Sequence, residues 1–240
     1  MSLVLIGLAS VGAGIIQAVT GFGAPVILML VIPYFFNMIT APAVSSTIAM
    51  GASIALAWKF RKDIEWNTAL FPSAVYLVFS MVAIQFAKNM DLDLLTLLFG
   101  GFLVILSVYF FFFSDRMPFR ANWKTASVCA AISGTTVGLF SIGGPLMAIY
   151  FVSATKKKEA YIGNLQFMFA VSNVVNLGMR IANGIYTFDL LPFTLIGFVC
   201  IMAGKQIGLR ILDKLDPVRM KKLIYGFVGI SGAITVLQQL

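Results

Sequence analysis

The sequence predicts an all-helical integral membrane protein made of two inverted halves. Each half is predicted to hold a broken helix or re-entrant hairpin followed by three transmembrane helices. Three observations lead to this fold class. The chain is too apolar for a soluble domain, two of its apolar runs are too long for one crossing, and its basic residues segregate only if those runs double back.

Composition places the chain in the bilayer. Hydrophobic residues make up 60% of its 240 positions and charged residues 11%, whereas soluble domains are about half apolar and a quarter charged. The mean hydropathy is +0.97. At roughly 20 residues per span, the length allows about eight helical segments and leaves no room for a sizeable soluble domain.

Composition also argues against several functions. The net charge of +8 comes from basic residues in short loops between apolar runs, which is typical of a cytoplasmic membrane face and argues against nucleic-acid binding. The absence of histidine excludes a Ser–His dyad and argues against a metal site, and Cys129 and Cys200 both lie inside apolar runs. No Asp or Glu lies deep in a predicted span. We expect neither enzyme activity nor a cofactor.

The apolar segments follow one another with short polar loops between most of them. They cover residues 3–36, 41–58, 67–87, 94–113, 125–153, 160–182, 188–209 and 221–238. Trp58, Trp66 and Trp123 fall at segment ends, where aromatic belts meet the membrane–water interface.

Two of these segments are too long to be single spans. A helix over 3–36 would measure about 51 Å, against a hydrocarbon core of about 30 Å, and 125–153 is also too long. Glycine and proline interrupt both runs, in Thr-Gly-Phe-Gly-Ala-Pro at 20–25 and Ser-Ile-Gly-Gly-Pro at 141–145. Glycine permits unusual backbone angles and proline suits the first turn of a new helix. Each run is therefore predicted to be helix, break, helix.

A weak internal repeat relates the two breaks. Shifting the chain by 120 residues pairs Gly14 with Gly134, Gly23 with Gly143, Pro25 with Pro145, and Ser53 with Asn173. The order of segments repeats with the same period. The sequence thus predicts one membrane domain made of an N-terminal repeat, 1–120, and a C-terminal repeat, 121–240.

The distribution of basic residues distinguishes between two possible topologies of the broken runs. If each run crosses once, seven basic residues face nine on the other side, and no orientation results. If each returns to its own side, fourteen of the 17 Lys and Arg collect on one face against Lys88 and Arg180, with Lys205 inside a segment. The positive-inside rule makes that face cytoplasmic. Both termini are then predicted to be extracytoplasmic in a multi-pass, bacterial-type inner membrane protein, and three spans after each hairpin invert the second half. Re-entrant and fully crossing hairpins give the same parity.

The breaks are candidate binding sites for an anion, because a helix start offers free N–H groups and a positive dipole end. The candidates at the breaks are Thr20, Gly21, Gly23, Pro25, Ser141, Gly143, Gly144 and Pro145. The alternative is that these glycines only permit tight helix packing.

Polar residues inside other spans form a second candidate set, either a polar pathway or interhelical hydrogen bonds. They include Gln17, Ser45, Ser46, Asn164, Gln166 and Asn173. Arg180 lies on the same segment as Asn173 and either pairs with a substrate anion or snorkels to the interface. Lys205 is expected in a vestibule that attracts anions.

The breaks and polar spans together resemble a known family. The Gly-x-Pro end of the first break, Ser45-Ser46-Thr47, Gly143-Gly144-Pro145 and Gly163-Asn164-Leu165-Gln166 are similar to the TauE/SafE family of sulfite and organosulfonate exporters, also called the toluene-sulfonate uptake permease group. The first break departs from the common pattern, since Ala24 stands where a second glycine is frequent.

The resemblance implies a transporter, with export as the expected direction, of small sulfur-containing anions such as sulfite, sulfonates or sulfoacetate. Inverted halves around broken helices favour alternating access at a midplane site. An anion channel and a non-transporting membrane subunit are the alternatives. The expected partners are the small anion and the lipid bilayer, and a homo-oligomer is left open.

Overall fold

The computed structural model describes residues 2–113, 121–211, 233 and 235–237. Within them the chain forms nine α-helices joined by short turns. Their bounds are α1 Ser2–Thr20, α2 Ala24–Met29, α3 Ala41–Lys59, α4 Trp66–Lys88, α5 Leu92–Phe113, α6 Trp123–Phe140, α7 Gly144–Ala154, α8 Lys158–Ala182 and α9 Leu191–Ile211. The all-helical prediction is confirmed for this part of the chain.

Within the described residues, five helical segments are long and apolar enough to cross a membrane. They are Ser2–Thr20, Ala41–Lys59, Trp66–Lys88, Leu92–Tyr109 and Phe188–Arg210. Large apolar side chains such as Phe86, Ile105 and Val199 are exposed on the outer surface, which suits contact with lipid. Buried polar side chains, including Asn164, Gln166 and Arg180, lie on α8, so the more polar helices face the interior.

Both long runs break where the sequence predicts. The first breaks after Thr20, where Gly21 (φ 79°) and Gly23 (φ 101°) adopt left-handed backbone angles that favour glycine. The second breaks after Phe140, where Ser141 adopts φ 63°. Pro25 and Pro145 then stand in the first turns of α2 and α7, where a missing N–H costs no helical hydrogen bond.

Close glycine contacts give the relative direction of α1 and α9. A Cβ on Gly7 would lie 3.4 Å from Cys200 Sγ, and a Cβ on Gly208 would lie 2.9 Å from Ala18 Cβ. The residue numbers of the contacts rise together along the two helices. The helices α1 and α9 are therefore parallel.

The same geometry joins α4 and α6. A Cβ on Gly134 would lie 2.4 Å from the Tyr76 carbonyl oxygen, and one on Gly138 would lie 2.5 Å from that of Ser80. These helices are also parallel. Glycine is required at both positions because any larger residue would meet backbone atoms of the neighbouring helix.

The helices α3 and α8 are antiparallel at the centre of the bundle. Gly163, near the start of α8, packs against the Phe60 carbonyl oxygen at the end of α3. Arg180, near the end of α8, bonds the Pro42 carbonyl oxygen at the start of α3.

These directions require the chain to turn back at each break. Gln17 bonds Ser53, and Ser10 and Ile48 both pack against Gly197, so α1 and α3 run the same way and residues 21–40 return the chain. By the same reasoning α6 and α8 run the same way, because α6 is parallel to α4 and α8 is antiparallel to α3. Residues 141–157 therefore return the chain in the second half.

One end of the bundle carries many of the basic residues. We call it the basic end: α3 ends there and α4, α6 and α8 begin there, with Lys59, Arg61, Lys62, Lys124, Lys156, Lys157 and Lys158. Trp58, Trp66 and Trp123 are exposed at this end, which fits an interfacial belt. The opposite, far end holds Lys88, whose Nζ lies 3.5 Å from Asn183 Oδ1.

Some sequence predictions fall outside the described residues. They concern most of the segment 221–238 and the basic residues Arg116, Arg120, Lys214, Arg219, Lys221 and Lys222. The division into repeats 1–120 and 121–240, their inverted relation as complete units and the side of each terminus stay predictions.

Candidate functional site

A small central cavity lies where the two breaks meet. A Cβ on Gly144 would lie 2.9 Å from Phe22 Cβ, so the turns contact each other across the bundle. The cavity measures about 20 Å³, room for about one water molecule. Its lining residues are Gln17, Phe22, Gly23, Pro25, Val26, Ala49, Ser53, Tyr76, Val137, Ser141, Ile142, Gly143, Gly144, Pro145, Phe169 and Asn173.

The first break presents an amide network to this cavity. Gln17 Nε2 donates to Ser53 Oγ at 3.2 Å and to Gln166 Oε1 at 3.3 Å. Gln166 Nε2 in turn donates to the Gly21 carbonyl oxygen at 2.5 Å. The network holds the end of α1 against α3 and α8. Gln17 Oε1 has no hydrogen-bond partner among the described residues and can accept a hydrogen bond from a donor in the cavity.

The second break presents a hydroxyl and the start of a helix. Ser141 is 1% exposed, and its Oγ has no hydrogen-bond partner in the part of the chain that the structure describes. A Cβ on Gly143 would lie 2.5 Å from both Tyr76 Oη and the Ser133 carbonyl oxygen. Only glycine lets the backbone approach Tyr76 this closely. The first N–H groups of α7 follow at once, and such groups have no carbonyl partner within their own helix.

Two polar layers close the bundle between the cavity and the far end. In the first, Ser80 Oγ donates to Asn176 Oδ1 at 2.9 Å. In the second, Arg180 donates to the carbonyl oxygens of Pro42 and Gly138 at 2.8 and 3.1 Å, and to Ser46 Oγ at 2.5 Å. These contacts tie α8 to α3, α4 and α6.

Arg180 is 2% exposed and does not reach solvent. Snorkelling, one of the two roles that the sequence leaves open, is therefore wrong. The physical reason is that carbonyl and hydroxyl oxygens from two other helices satisfy the guanidinium inside the bundle, so it has no need of the interface.

A larger vestibule lies on the basic-end side of Gln17. It measures about 210 Å³ and is lined by Gln17, Ala18, Val19, Thr20, Gly21, Leu56, Lys59, Phe60, Lys158, Glu159, Tyr161, Ile162 and Leu209. Thr20 Oγ1 bonds the carbonyl oxygens of Ile16 and Phe22 within its own turn. Tyr161 Oη donates to the Thr20 carbonyl oxygen at 3.3 Å. The end of α1 thus forms the wall between vestibule and cavity.

The candidates from sequence divide into three groups. Those at the central cavity are Gln17, Gly23, Pro25, Ser141, Gly143, Gly144, Pro145 and Asn173. Thr20 and Gly21 line the vestibule. Ser46, Gln166 and Arg180 make the bonds above, Asn164 Oδ1 accepts from the Glu65 N–H at 2.8 Å, and Ser45 is buried without lining the cavity.

Sequence reasoning missed eight of the lining residues, namely Phe22, Val26, Ala49, Ser53, Tyr76, Val137, Ile142 and Phe169. Ser53 carried a signal, because the repeat pairs it with Asn173. Tyr76 carried a weaker one, as a tyrosine in the middle of an apolar span. The two phenylalanines cannot be told from core residues by sequence.

Broken helices around an enclosed cavity, inside a bundle with an apolar surface, are typical of a polytopic membrane transporter. More narrowly, the chain belongs to the sulfite exporter TauE/SafE family, whose model matches residues 6–235. It is also similar to a probable membrane transporter protein of Methanocaldococcus jannaschii, with 22% identity over 245 residues that cover 93% of this chain and 91% of the relative. No solved structure matches the chain at a significant level.

Proposed function

We propose that this protein carries a small sulfur-containing anion, such as sulfite, a sulfonate or sulfoacetate, across the cell membrane by alternating access at the central cavity. One observation carries the proposal: the two breaks converge on a single cavity, and twelve of its sixteen lining residues form pairs 120 positions apart. The pairs are Gln17 and Val137, Phe22 and Ile142, Gly23 and Gly143, Pro25 and Pro145, Ala49 and Phe169, and Ser53 and Asn173.

This pairing supports a two-fold relation between the halves. The left-handed residues Gly21 and Ser141 are also 120 positions apart. The close-packing glycines Gly14 and Gly134 obey the same shift, one in the α1–α9 contact and the other in the α6–α4 contact. A site on the symmetry axis between inverted halves is equally related to both faces of the membrane, as alternating access requires.

The chemistry of the lining suits an anion. None of the lining residues is acidic, so no carboxylate there repels an anion. The Ser141 hydroxyl, the Asn173 amide and the first N–H groups of α7 are donors, and the α7 dipole adds a positive end. Sulfite and sulfonate oxygens only accept hydrogen bonds from such donors. The lining carries no full positive charge, which favours release after binding.

The size of the cavity favours alternating access over a channel. About 20 Å³ is too small for a sulfonate, so the walls must move before one enters. The Gln17–Gln166 layer separates the cavity from the vestibule, and the Asn176 and Arg180 layers separate it from the far end. Opening one side at a time would move the anion without a continuous pore.

The positive-inside rule makes the basic end cytoplasmic, and the vestibule then faces the compartment from which an exporter takes its substrate. Export is accordingly the proposed direction. A homo-oligomer is not required, because one chain supplies both breaks.

Flux into and out of proteoliposomes tests the proposal. Purified protein should move radiolabelled sulfite, taurine or sulfoacetate with saturable kinetics, and the preferred anion should raise the melting temperature. Non-saturable flux of many anions would instead indicate a channel. A protein that shows neither flux nor a melting shift with any small anion would contradict transport and favour a non-transporting subunit.

A further inference from the structure

The vestibule at the basic end is large enough to hold an ion that the central cavity cannot. Its volume is about 210 Å³, against about 20 Å³ for the cavity. Gln17 lines both spaces, so a single carboxamide layer separates them. An anion held in the vestibule would therefore lie one step from the proposed transport site.

Three lysines give this vestibule a positive potential. Lys59 and Lys158 line it directly, and Glu159 is the one carboxylate among its lining residues. Lys205 lies one helical turn before the lining residue Leu209 and therefore shares its face of α9. Lys59 and Lys205 interact electrostatically. A recess with an excess of one charge concentrates ions of the opposite sign.

Lys205 is the unusual member of this group. It is only 8% exposed. Among residues 2–113 and 121–211 its ammonium has neither a hydrogen-bond acceptor nor a carboxylate partner. A mostly buried lysine whose ammonium lacks a partner of opposite charge is stabilised by an anion that reaches it. An anion in the vestibule would supply the missing partner.

Interaction with a helix dipole does not explain why a lysine stands at position 205. Cations near helix C-termini interact favourably with the dipole, but the effect falls off within the last turn. The described part of α9 continues to Ile211, which puts Lys205 more than one turn before that point. Lys59, by contrast, is the last residue of α3 and could serve both purposes.

We propose that the vestibule is a second anion site, in which Lys205, Lys59 and Lys158 bind a small oxyanion before it passes the Gln17 layer. This inference rests on the proposed function and adds a binding step to it. An anionic lipid headgroup presents the same chemistry, namely oxygen atoms with delocalised negative charge, and its binding must be distinguished from that of the free ion.

The test compares the kinetics of sulfite flux between variants in phosphatidylcholine vesicles. Lys205→Gln should raise the KM for sulfite about tenfold, because one of three attracting charges is lost, while kcat changes little. Lys205→Arg keeps the charge and should restore the KM. Lys88→Gln, at the far end, is the matched control and should leave both constants unchanged.

An unchanged KM in Lys205→Gln, or equal damage in Lys205→Arg, would overturn the second site while leaving transport itself intact. If Lys205→Gln fails to fold, the exposed pair Lys59→Gln with Lys158→Gln tests the same potential, and an unaltered KM there also overturns it. An effect confined to vesicles that contain phosphatidylglycerol would assign the lysines to lipid and reject the free-anion site. Absence of flux in the wild-type protein would instead contradict the proposed function.

Discussion

Arg180 donates through Nη1 to the Ser46 hydroxyl at 2.5 Å, which joins α8 to α3 between the central cavity and the far end. The same guanidinium reaches the carbonyl oxygens of Pro42 and Gly138. Gly138 precedes the second break by three residues. The bonds of Arg180 therefore join the wall of the central cavity to the polar layer that closes the far end. In the proposed mechanism, access from the far end requires these bonds to separate.

Removing the Ser46 hydroxyl should therefore loosen the far-end closure. In a background without Cys129 and Cys200, a cysteine at Asn173 should react faster with a membrane-impermeant thiol reagent from the far end when Ser46→Ala is added. We expect an increase of about tenfold or more, since one of three bonds to the guanidinium is lost and its net contribution is about 1.5–3 kcal/mol.

Ser45→Ala is the matched control for this experiment. The Ser45 hydroxyl is buried and has no hydrogen-bond partner among the described residues, so its removal should not change the labelling rate. Equal acceleration by both substitutions would show that the effect comes from general loosening of α3.

Loss of Gln166 should weaken the Gln17–Gln166 layer that separates the central cavity from the vestibule. Gln166→Ala removes the bond to the Gly21 carbonyl oxygen and the one to Gln17. We expect a cysteine at Ser53 to become more reactive from the basic end and not from the far end. Gln206→Ala, an exposed glutamine on α9, serves as the control. A rate that rises from both ends would argue against separate closures.

Ser141→Gly tests the role of the hydroxyl independently of the backbone conformation at the second break. Glycine tolerates φ 63° better than serine does, so the melting temperature should stay the same or rise. Flux should fall about tenfold, as expected for losing one hydrogen bond to an anion. Ser127→Ala removes an exposed hydroxyl of α6 that bonds its own helix and should have no effect. Normal flux in Ser141→Gly would remove this hydroxyl from the site.

Two glycines on α1 should differ sharply in their tolerance of a methyl group. A Cβ on Gly14 would lie 2.3 Å from the Ile201 carbonyl oxygen, whereas a Cβ on Gly12 meets nothing within 4 Å. Gly14→Ala should destabilise the protein by about 1–3 kcal/mol, and Gly12→Ala should stabilise it by up to about 1 kcal/mol. Thermal unfolding in nanodiscs would measure both. Similar melting temperatures would contradict the close α1–α9 contact.

Single cysteines test the orientation in the membrane. Cysteines at Lys157 and Lys124 should label from the cytoplasmic face, and a cysteine at Lys88 from the opposite face. The physical reason is the retention of basic loops in the cytoplasm. Labelling of Lys88 and Lys157 positions from the same side would refute the returning hairpins.

Much of the fold follows from the order of apolar and polar residues. Lipid requires backbone hydrogen bonds to be satisfied within each segment, so apolar runs of span length become helices with little choice. The bounds of α3, α4 and α5 lie within two residues of the predicted segments. The breaks could also be predicted from the sequence, because Gly21, Gly23 and the prolines that follow permit a turn there and do not favour an uninterrupted helix.

Tertiary structure decided which polar groups meet. Gln166 and Asn173 lie on one segment and looked equivalent in sequence, yet Gln166 bonds the first break and Asn173 lines the cavity. The burial of Arg180 depends on the carbonyl groups of Pro42 and Gly138, which are 138 and 42 residues away in the sequence. Such contacts depend on how helices cross, and periodicity within one helix carries no information about that. The sequence by itself determined a membrane bundle with two broken helices, and packing between distant helices determined the cavity, its closures and the vestibule beside it.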